Sequence, residues 1–287
     1  MARLRIAFLG DVVGEPGRRA FGAAVPVLRR DRAAHVVIVN GENARHGRGL
    51  HPDGCDELLR AGADAITLGD HAMDDERIAA YLNRVDMPVA SPVNFPLRSD
   101  KAKRWNRISP KVVGAEGLPD LYTVTVLGRV YMKQDNGCPF EHVDETLRRL
   151  TAEDPDALVI VEIHAEVTSE KMGMAYHCAQ AWSGTVVGVV GTHTHVQTSD
   201  ARLISSGGAE SFSSRRIGAI SDLGMTGGHD SVIGFDPEVS LERLRTQTGG
   251  KLTPSERDLA ASGVMLVVDT VERSAVSIET VRIGIDR

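Results

Sequence analysis

The sequence TVVGVVGTHTH at residues 185–195 decides the fold class. Its first part, residues 185–190, is short, apolar and rich in valine, which is typical of a strand buried in a parallel sheet. A glycine follows, and then His193 and His195. Side chains two positions apart in an extended segment point to the same side. Because ligands bind beyond the carboxyl ends of parallel strands, we expect both histidines at a ligand-binding edge.

Four other apolar runs end in polar residues in the same way. The runs are 4–10 before Asp11, 36–40 before Glu42 and Asn43, 64–69 before Asp70 and His71, and 157–163 before His164. Helical patterns at 17–32, 52–61, 74–84, 142–151 and 170–182 separate them. This alternation predicts an α/β protein with a parallel sheet, one edge of which gathers all of these side chains.

The remaining sequence adds further strands and loops. Residues 121–127 predict an edge strand or a second sheet, and 263–269 and 275–283 predict two more strands. The polar stretches 205–216 and 246–257 are typical of surface loops or weak helices. We find no internal repeat and no long linker, so a single domain over residues 1–287 with two sheets is expected.

Composition narrows the class of protein. The 287 residues include 39 acidic and 33 basic side chains, and 42% of the chain is hydrophobic. These values exclude disorder, collagen and a coiled coil for the chain as a whole. The net charge of -6 argues against a stable nucleic-acid complex, and no apolar run approaches a membrane span. Three widely spaced cysteines suggest a reducing compartment, so we expect a cytoplasmic protein without a membrane partner.

The side chains at the predicted edge favour a metal site. Four of the ten histidines, namely His71, His164, His193 and His195, come directly after an apolar run. Taken singly, each such residue is more often an ordinary turn, capping or hydrogen-bonded residue. Their joint placement beside several carboxylates favours a metal site, and oxygen and imidazole donors without thiolate suit Mn, Fe or Zn.

Several motifs in this order resemble a known family. Gly10-Asp11, Gly69-Asp70-His71 and Gly191-Thr192-His193-Thr194-His195 resemble the GD, GNH and GHxH blocks of calcineurin-like metallophosphoesterases. The chain is more similar still to the YmdB-like branch. The matching blocks there are GDVVGxPGR at 10–18, NGEN at 40–43, HGxG at 46–49, GADAIT at 62–67, NFP at 94–96, HAExTSEK at 164–171 and DxGMTG at 222–227.

This resemblance implies a four-layer α-β-β-α sandwich and a two-metal site that hydrolyses phosphoesters. It implies cyclic nucleotides, 2',3'-cyclic or 3',5'-cyclic, as the small-molecule substrates of a phosphodiesterase or phosphatase, attacked by a hydroxide that bridges two ions. Fe or Mn is favoured and Zn is also suitable. The resemblance assigns one ion to Asp11, Glu42, Asn43 and His195, and the other to Glu42, Asp70, His164 and His193, with Glu42 bridging.

The same resemblance makes His71 the catalytic histidine, which is not a ligand. A general acid is the role that its chemistry suits. The alternative is a residue that only orients Asp70. Asp74 either orients His71 or caps the following helix. The chain departs from the wider superfamily in two places, because Val13 stands where a histidine ligand is usual and Asp70 where asparagine is usual.

Two other classes of function stay open on the sequence. Two histidines and a carboxylate also form the site of non-haem iron oxygenases, although this chain has more donors than one iron needs. A regulatory protein could use the same site to sense a nucleotide with little turnover. The sequence also leaves a homo-oligomer open.

Overall fold

Two β-sheets pack face to face in the computed structural model, which describes residues 3–96, 103–110, 118–205 and 215–285. In chain order the strands are β1 (Arg3–Leu9), β2 (Asp11–Val12), β3 (Val36–Asn40), β4 (Ala65–Thr67), β5 (Val89–Ala90), β6 (Trp105–Ile108), β7 (Leu121–Leu127), β8 (Leu158–His164), β9 (Val186–Thr192), β10 (Arg202–Ser205), β11 (Arg216–Ile220), β12 (Met225–Gly228), β13 (Leu259–Asp269) and β14 (Ser274–Gly284). The helices are α1 (Gly14–Asp31), α2 (Pro52–Arg60), α3 (Ala79–Leu82), α4 (Pro139–Glu153), α5 (Thr168–Ala181) and α6 (Pro237–Thr246).

Each sheet has a parallel centre and antiparallel edges. In the first sheet β1, β3, β4 and β5 are parallel, and β13 is antiparallel to β1 on one side and to β14 on the other. Beyond the end of β1, β12 pairs with β13 and with β2. The second sheet has the order β10-β11-β9-β8-β7-β6, with β11, β9, β8 and β7 parallel. The predicted α/β class is confirmed.

Burial alternates along the central strands and defines four layers. On β1, Ile6 and Phe8 pack against the second sheet, whereas Ala7 and Leu9 pack against α1 and α2. The strands of the second sheet likewise turn alternate side chains toward the first sheet and toward α4 and α5. Complete burial of one such side chain contributes about 1.5–3 kcal/mol. The helix-sheet-sheet-helix order confirms the predicted four-layer sandwich.

The prediction that one sheet edge gathers all the donors is wrong. β1, β3 and β4 belong to the first sheet, whereas β8 and β9 belong to the second. Periodicity within a strand identifies its buried faces but carries no information on which sheet the strand joins. The donors still converge, because the two sheets are stacked with these five carboxyl ends on one side of the sandwich.

Other differences concern short elements. The helix predicted over 74–84 is a 3₁₀ turn at Glu76–Ile78 followed by the four-residue α3. The side chain that caps this turn is Asp75, not Asp74. Helix α6 and strands β2, β5, β6, β10, β11 and β12 were not predicted. Of the stretch predicted as a loop at 205–216, residues 206–214 lie outside the described residues, while 247–257 forms no helix or strand apart from one isolated bridge at Pro254.

Within the described ranges, no helix has both the length and the apolar character needed to span a bilayer.

Candidate metal centre

The seven predicted donors meet in one cleft between the two sheets. Each follows or ends a central strand: Asp11 after β1, Glu42 and Asn43 after β3, Asp70 after β4, His164 at the end of β8, and His193 and His195 after β9. All except His193 are buried, and His193 is partly exposed. Burying this many ionisable groups is costly unless they are paired or bind a cation.

Four of the donors form one compact group. Glu42, Asp70, His164 and His193 each offer a ligand atom, and these atoms all lie within 4.8 Å of one another. Nε2 of His164 lies 3.2 Å from Oε1 of Glu42, 3.1 Å from Oδ1 of Asp70 and 3.0 Å from Nδ1 of His193. Two imidazoles that face each other between two carboxylates form a donor set suited to a divalent transition metal.

The other three donors lie beside this group. Nδ2 of Asn43 is 3.2 Å from Nε2 of His195 and 3.2 Å from Oε1 of Glu42. Oδ1 of Asp11 is 3.9 Å from Nε2 of His195. A 180° rotation of the Asn43 amide group would exchange its oxygen and nitrogen, so that the oxygen faces His195 and Glu42 while the rest of the side chain does not move. Glu42 therefore lies between the two groups, with its Oε1 in contact with a member of each.

Asp11 shows how well this cleft fits a cation. Its Oδ1 is buried and has no hydrogen-bond partner among the described residues. Burial, opposed in part by the positive charge of His164, raises the pKa of the Asp11 carboxyl to about 8. A buried carboxylate with an unpaired oxygen is stabilised by a metal ion, and an apolar or hydrogen-bonded core would not contain one. The residues present therefore fit the metal that the resemblance implies.

A buried network fixes the tautomer of His164. The hydroxyl of Thr192 donates to Glu162 over 2.7 Å, so its oxygen accepts from Nδ1 of His164 at 2.9 Å. The side chains of Asn40 and Thr125 also donate to the Glu162 carboxylate. With a metal bound, Nδ1 would keep this proton and Nε2 of His164, which faces Glu42, would give up its own to act as a ligand. Such partners of the distal ring nitrogen orient metal-binding histidines.

His193 and His195 have comparable partners. Nε2 of His193 lies 3.2 Å from Oε2 of Glu166, which leaves Nδ1 facing the cluster. Nδ1 of His195 donates to the carbonyl of Ile233 at 2.8 Å, so the lone pair of Nε2 faces the Asn43 amide. Burial lowers the pKa of His195, so its ring is neutral as a metal ligand must be.

The loop that carries these two histidines is anchored by a buried ion pair. His193 and His195 have φ values of 95° and 66°, which are unfavourable for residues with a side chain. Between them, Thr194 donates its N–H (3.2 Å) and its hydroxyl (2.7 Å) to Asp222. Lys171 of α5 contacts the same carboxylate at 2.7 Å. The interactions of Asp222 thus hold both rings in place against backbone strain.

Nearly the whole chain matches one family of proteins. The model of the YmdB-like proteins matches residues 7–281. The chain belongs to the YmdB-like family. It is 35% identical over 284 residues to the 2',3'-cyclic-nucleotide 2'-phosphodiesterase of Bacillus subtilis, covering 99% of this chain and 98% of the relative.

Two solved structures resemble the YmdB-like fold described above. A protein of Thermus thermophilus is 33% identical with a TM-score of 0.80, and the match covers 99% of this chain and 100% of that one. A novel phosphatase from Mycoplasma pneumoniae is 29% identical with a TM-score of 0.82, and the match covers 99% and 94%. The similarity therefore extends over the full sandwich, and the predicted resemblance to the family is confirmed.

Glycines bring the backbone close to this YmdB-like cluster. A Cβ atom on Gly69 would collide with Glu42 and with the ring of His164, and one on Gly191 would collide with the carbonyl of Ser221. Neither glycine has a positive φ. They are needed for close approach and not for a positive φ.

His71 lies next to the cluster without joining it. Its backbone N–H donates to Oε2 of Glu42 at 3.0 Å. Its ring nitrogen Nδ1 lies 2.9 Å from Oδ2 of Asp74, although these two atoms do not meet hydrogen-bond geometry. Arg48 pairs with the same carboxylate. The contact with Asp74 favours the orienting role for that residue over the helix cap.

A cavity of about 690 Å³ opens in front of the cluster. His71, His193 and His195 line its floor, and His46, Arg48 and Lys133 are among the residues of its wall. Basic residues in such a wall attract an anionic ligand.

Several residues of the site were not given a role from the sequence. Glu162, Thr192 and Glu166 orient the histidines, and Lys171 and Asp222 anchor their loop. Glu166 and Lys171 lie in the matched block HAExTSEK, and Asp222 lies in DxGMTG. Their place in these blocks was the one feature of the sequence that could have pointed to them.

Lys171 offers a test of the buried anchor. We expect Lys171→Met to lower the free energy of unfolding by about 3–5 kcal/mol, because it leaves the Asp222 carboxylate buried without its cation. Urea unfolding in a chelating buffer measures this change. The control is Arg282→Met, which breaks an exposed pair of the same 2.7 Å length with Asp258 and should cost less than about 1 kcal/mol. Equal losses in the two variants would contradict the anchoring role.

Proposed function

We propose that this protein is a two-metal phosphodiesterase that opens 2',3'-cyclic nucleotides at the 2' ester bond. Family membership and the named relatives make the chain a phosphoric ester hydrolase. The observation that carries the finer proposal is the cluster of Glu42, Asp70, His164 and His193 within 4.8 Å, with three further donors beside it. Seven donors are more than a single ion needs.

We assign the donors to two ions that share Glu42. Asp70, His164 and His193 would hold one ion, and Asp11, Asn43 and His195 the other. Fe or Mn suits this set of oxygen and imidazole donors, and Zn is acceptable. When bound, a pair of such ions supplies hydroxide at neutral pH and positive charge for the phosphoryl oxygens.

The attacking water gives its oxygen to phosphorus and loses a proton, and His71 supplies the proton that the leaving 2' oxygen takes up. Attack at phosphorus breaks the bond to the 2' oxygen, and that oxygen leaves as an alkoxide unless it is protonated. The His71 ring lines the cavity next to the cluster, where its imidazole can give a proton to the leaving oxygen. Asp74 at 2.9 Å holds the ring in position. The product is a nucleoside 3'-phosphate.

The other two functions have weaker support. An oxygenase site needs two histidines and one carboxylate around a single iron with open positions, and the cluster here is larger. A slow nucleotide sensor would have no need of His71, which lines the cavity beside the cluster. Hydrolysis of 3',5'-cyclic nucleotides, the cytoplasmic location and the oligomeric state remain predictions.

Metal content and substrate choice test the proposal together. Protein reconstituted with excess Mn or Fe should contain about two ions per chain by elemental analysis. It should hydrolyse adenosine 2',3'-cyclic monophosphate faster than the 3',5' isomer and yield adenosine 3'-phosphate. One ion per chain with oxygen consumption would favour the oxygenase, and tight nucleotide binding without phosphate ester cleavage would favour the sensor.

A further inference from the structure

A second, apolar pocket continues from the metal-site cavity. It has a volume of about 480 Å³, and Ile233, Phe235, Arg243 and Leu252 line both. Helix α6 forms one side of it, with Leu244 among the lining residues. Pockets of about 300–1,000 Å³ with apolar walls and a few polar groups are typical small-molecule sites. No part of the reaction proposed above uses this pocket.

The pocket is built into the site and is not a loose surface groove. The carbonyl of Ile233 accepts the hydrogen bond from His195, so the wall is tied to a predicted metal ligand. Ile233 has a φ of 48°, a strained value for a β-branched residue. Phe235 and Val232 exchange two backbone hydrogen bonds, and the Phe235 ring packs directly on Gly47. Strain held by surrounding structure is a mark of functional sites.

A buried polar residue, Ser240, is part of the pocket wall. Ser240 of α6 is 5% exposed and lines the pocket, and its Oγ forms no hydrogen bond to any described residue. A buried hydroxyl without a partner is costly and is expected to bond a ligand. In contrast to Ser240, the apolar side chains of Ile233 and Leu244 in the same wall are 50% and 70% exposed. A ligand with apolar faces would cover these two side chains, and a polar edge that reached Ser240 would satisfy its hydroxyl.

We propose that this pocket, lined by Ile233, Phe235, Ser240, Leu244 and Leu252, binds the base of a nucleotide whose phosphate lies at the metal centre. A nucleobase has apolar faces that stack on aromatic side chains and polar edges that would reach Ser240. The shared walls place the base next to the reacting phosphate. This inference rests on the proposed phosphodiesterase function, and it adds that the enzyme selects nucleosides over bare sugar phosphates.

Two substrates that differ only in the base separate the two proposals. Adenosine 2',3'-cyclic monophosphate carries the base, and methyl ribofuranoside 2',3'-cyclic phosphate replaces it with a methoxy group. If neither is hydrolysed, the proposed function fails. If both are hydrolysed with equal kcat/KM, the function stands and the base subsite is wrong. We expect the nucleotide to be preferred, mainly through a lower KM.

Substitutions in the pocket show which residues cause the preference for the nucleotide over the methyl riboside. Phe235→Ala should lower kcat/KM for the nucleotide about 5- to 160-fold, with little change for the methyl riboside. Ser240→Ala should lower it about 2- to 12-fold. Leu244→Ser is the variant that does not risk unfolding, because its side chain is mostly exposed. Leu241→Ala on the same helix, whose side chain does not line the pocket, is the matched control and should leave both substrates unchanged.

Binding provides a readout apart from turnover. Calorimetric titration with adenosine 3'-monophosphate should show weaker binding for Phe235→Ala and Leu244→Ser, and unchanged binding for Leu241→Ala. Equal losses on both substrates would overturn the subsite. So would sedimentation showing that Leu244→Ser dissociates a dimer, because the pocket would then be covered by a second copy of this chain.

Discussion

Replacing His71 by alanine is expected to slow hydrolysis of a 2',3'-cyclic nucleotide about 10²–10⁴-fold while both ions stay bound. The ring supplies the proton for the leaving ribose oxygen, which is a poor leaving group as an alkoxide. The bond from His71 to Glu42 comes from the backbone N–H and survives the substitution. The variant therefore removes the acid and keeps the metal environment.

A second substrate tests the role of the ring directly. In bis(p-nitrophenyl) phosphate the leaving phenolate departs without a proton, so His71→Ala should lose much less of its rate on this diester. Asp74→Asn serves as a graded control, since it keeps the ring and removes only the carboxylate 2.9 Å away. Equal losses on both substrates together with depleted metal would show that His71 only orients Asp70.

The second large effect is expected at Glu42. We expect Glu42→Gln to weaken both ions and to abolish most activity, because its Oε1 lies 3.2 Å from His164 of one group and 3.2 Å from Asn43 of the other. The substitution keeps the size of the side chain and removes a charge that the two ions would share. Calorimetric titration with Mn measures the two sites separately.

His195→Ala is the matched comparison for Glu42→Gln. Its Nε2 faces only Asn43 and Asp11 among the described residues, so one site should weaken and the other should keep its affinity. If the two variants each lose one site, Glu42 does not bridge. If His195→Ala loses both, the two groups of donors form a single cooperative site.

Much of this arrangement was predictable because the central strands are apolar throughout and end in polar residues. The runs before Asp11, Asp70 and His193 identify buried strands, and the position after each strand identifies a donor. The pattern also favoured two sheets, and family resemblance then supplied their stacking between two helical layers. Strand periodicity alone predicted a single edge, since it describes burial within a strand and not the partner strand across the sandwich.

Three other features of the structure leave no recognisable pattern in the sequence around them. Helix α6 is rich in charged residues and buries only Ser240, so its pattern lacks the apolar stripe that marks a packed helix. The pair of Lys171 and Asp222 joins α5 to a loop after β11, and the spacing of two polar residues does not reveal such a contact. The apolar pocket is likewise assembled from separate segments and becomes visible only in three dimensions.

The position of β13 has a consequence for how the chain reaches this structure. Leu9 of β1 pairs with Gly263 of β13, so the centre of the first sheet joins segments from distant parts of the sequence. During synthesis on the ribosome β1, β3 and β4 emerge early, but one edge of β1 stays unpaired until β13 has been made. Such long-range pairing slows folding, and an open apolar edge invites association with other chains. Productive folding of this sheet therefore waits until β13 has been synthesised.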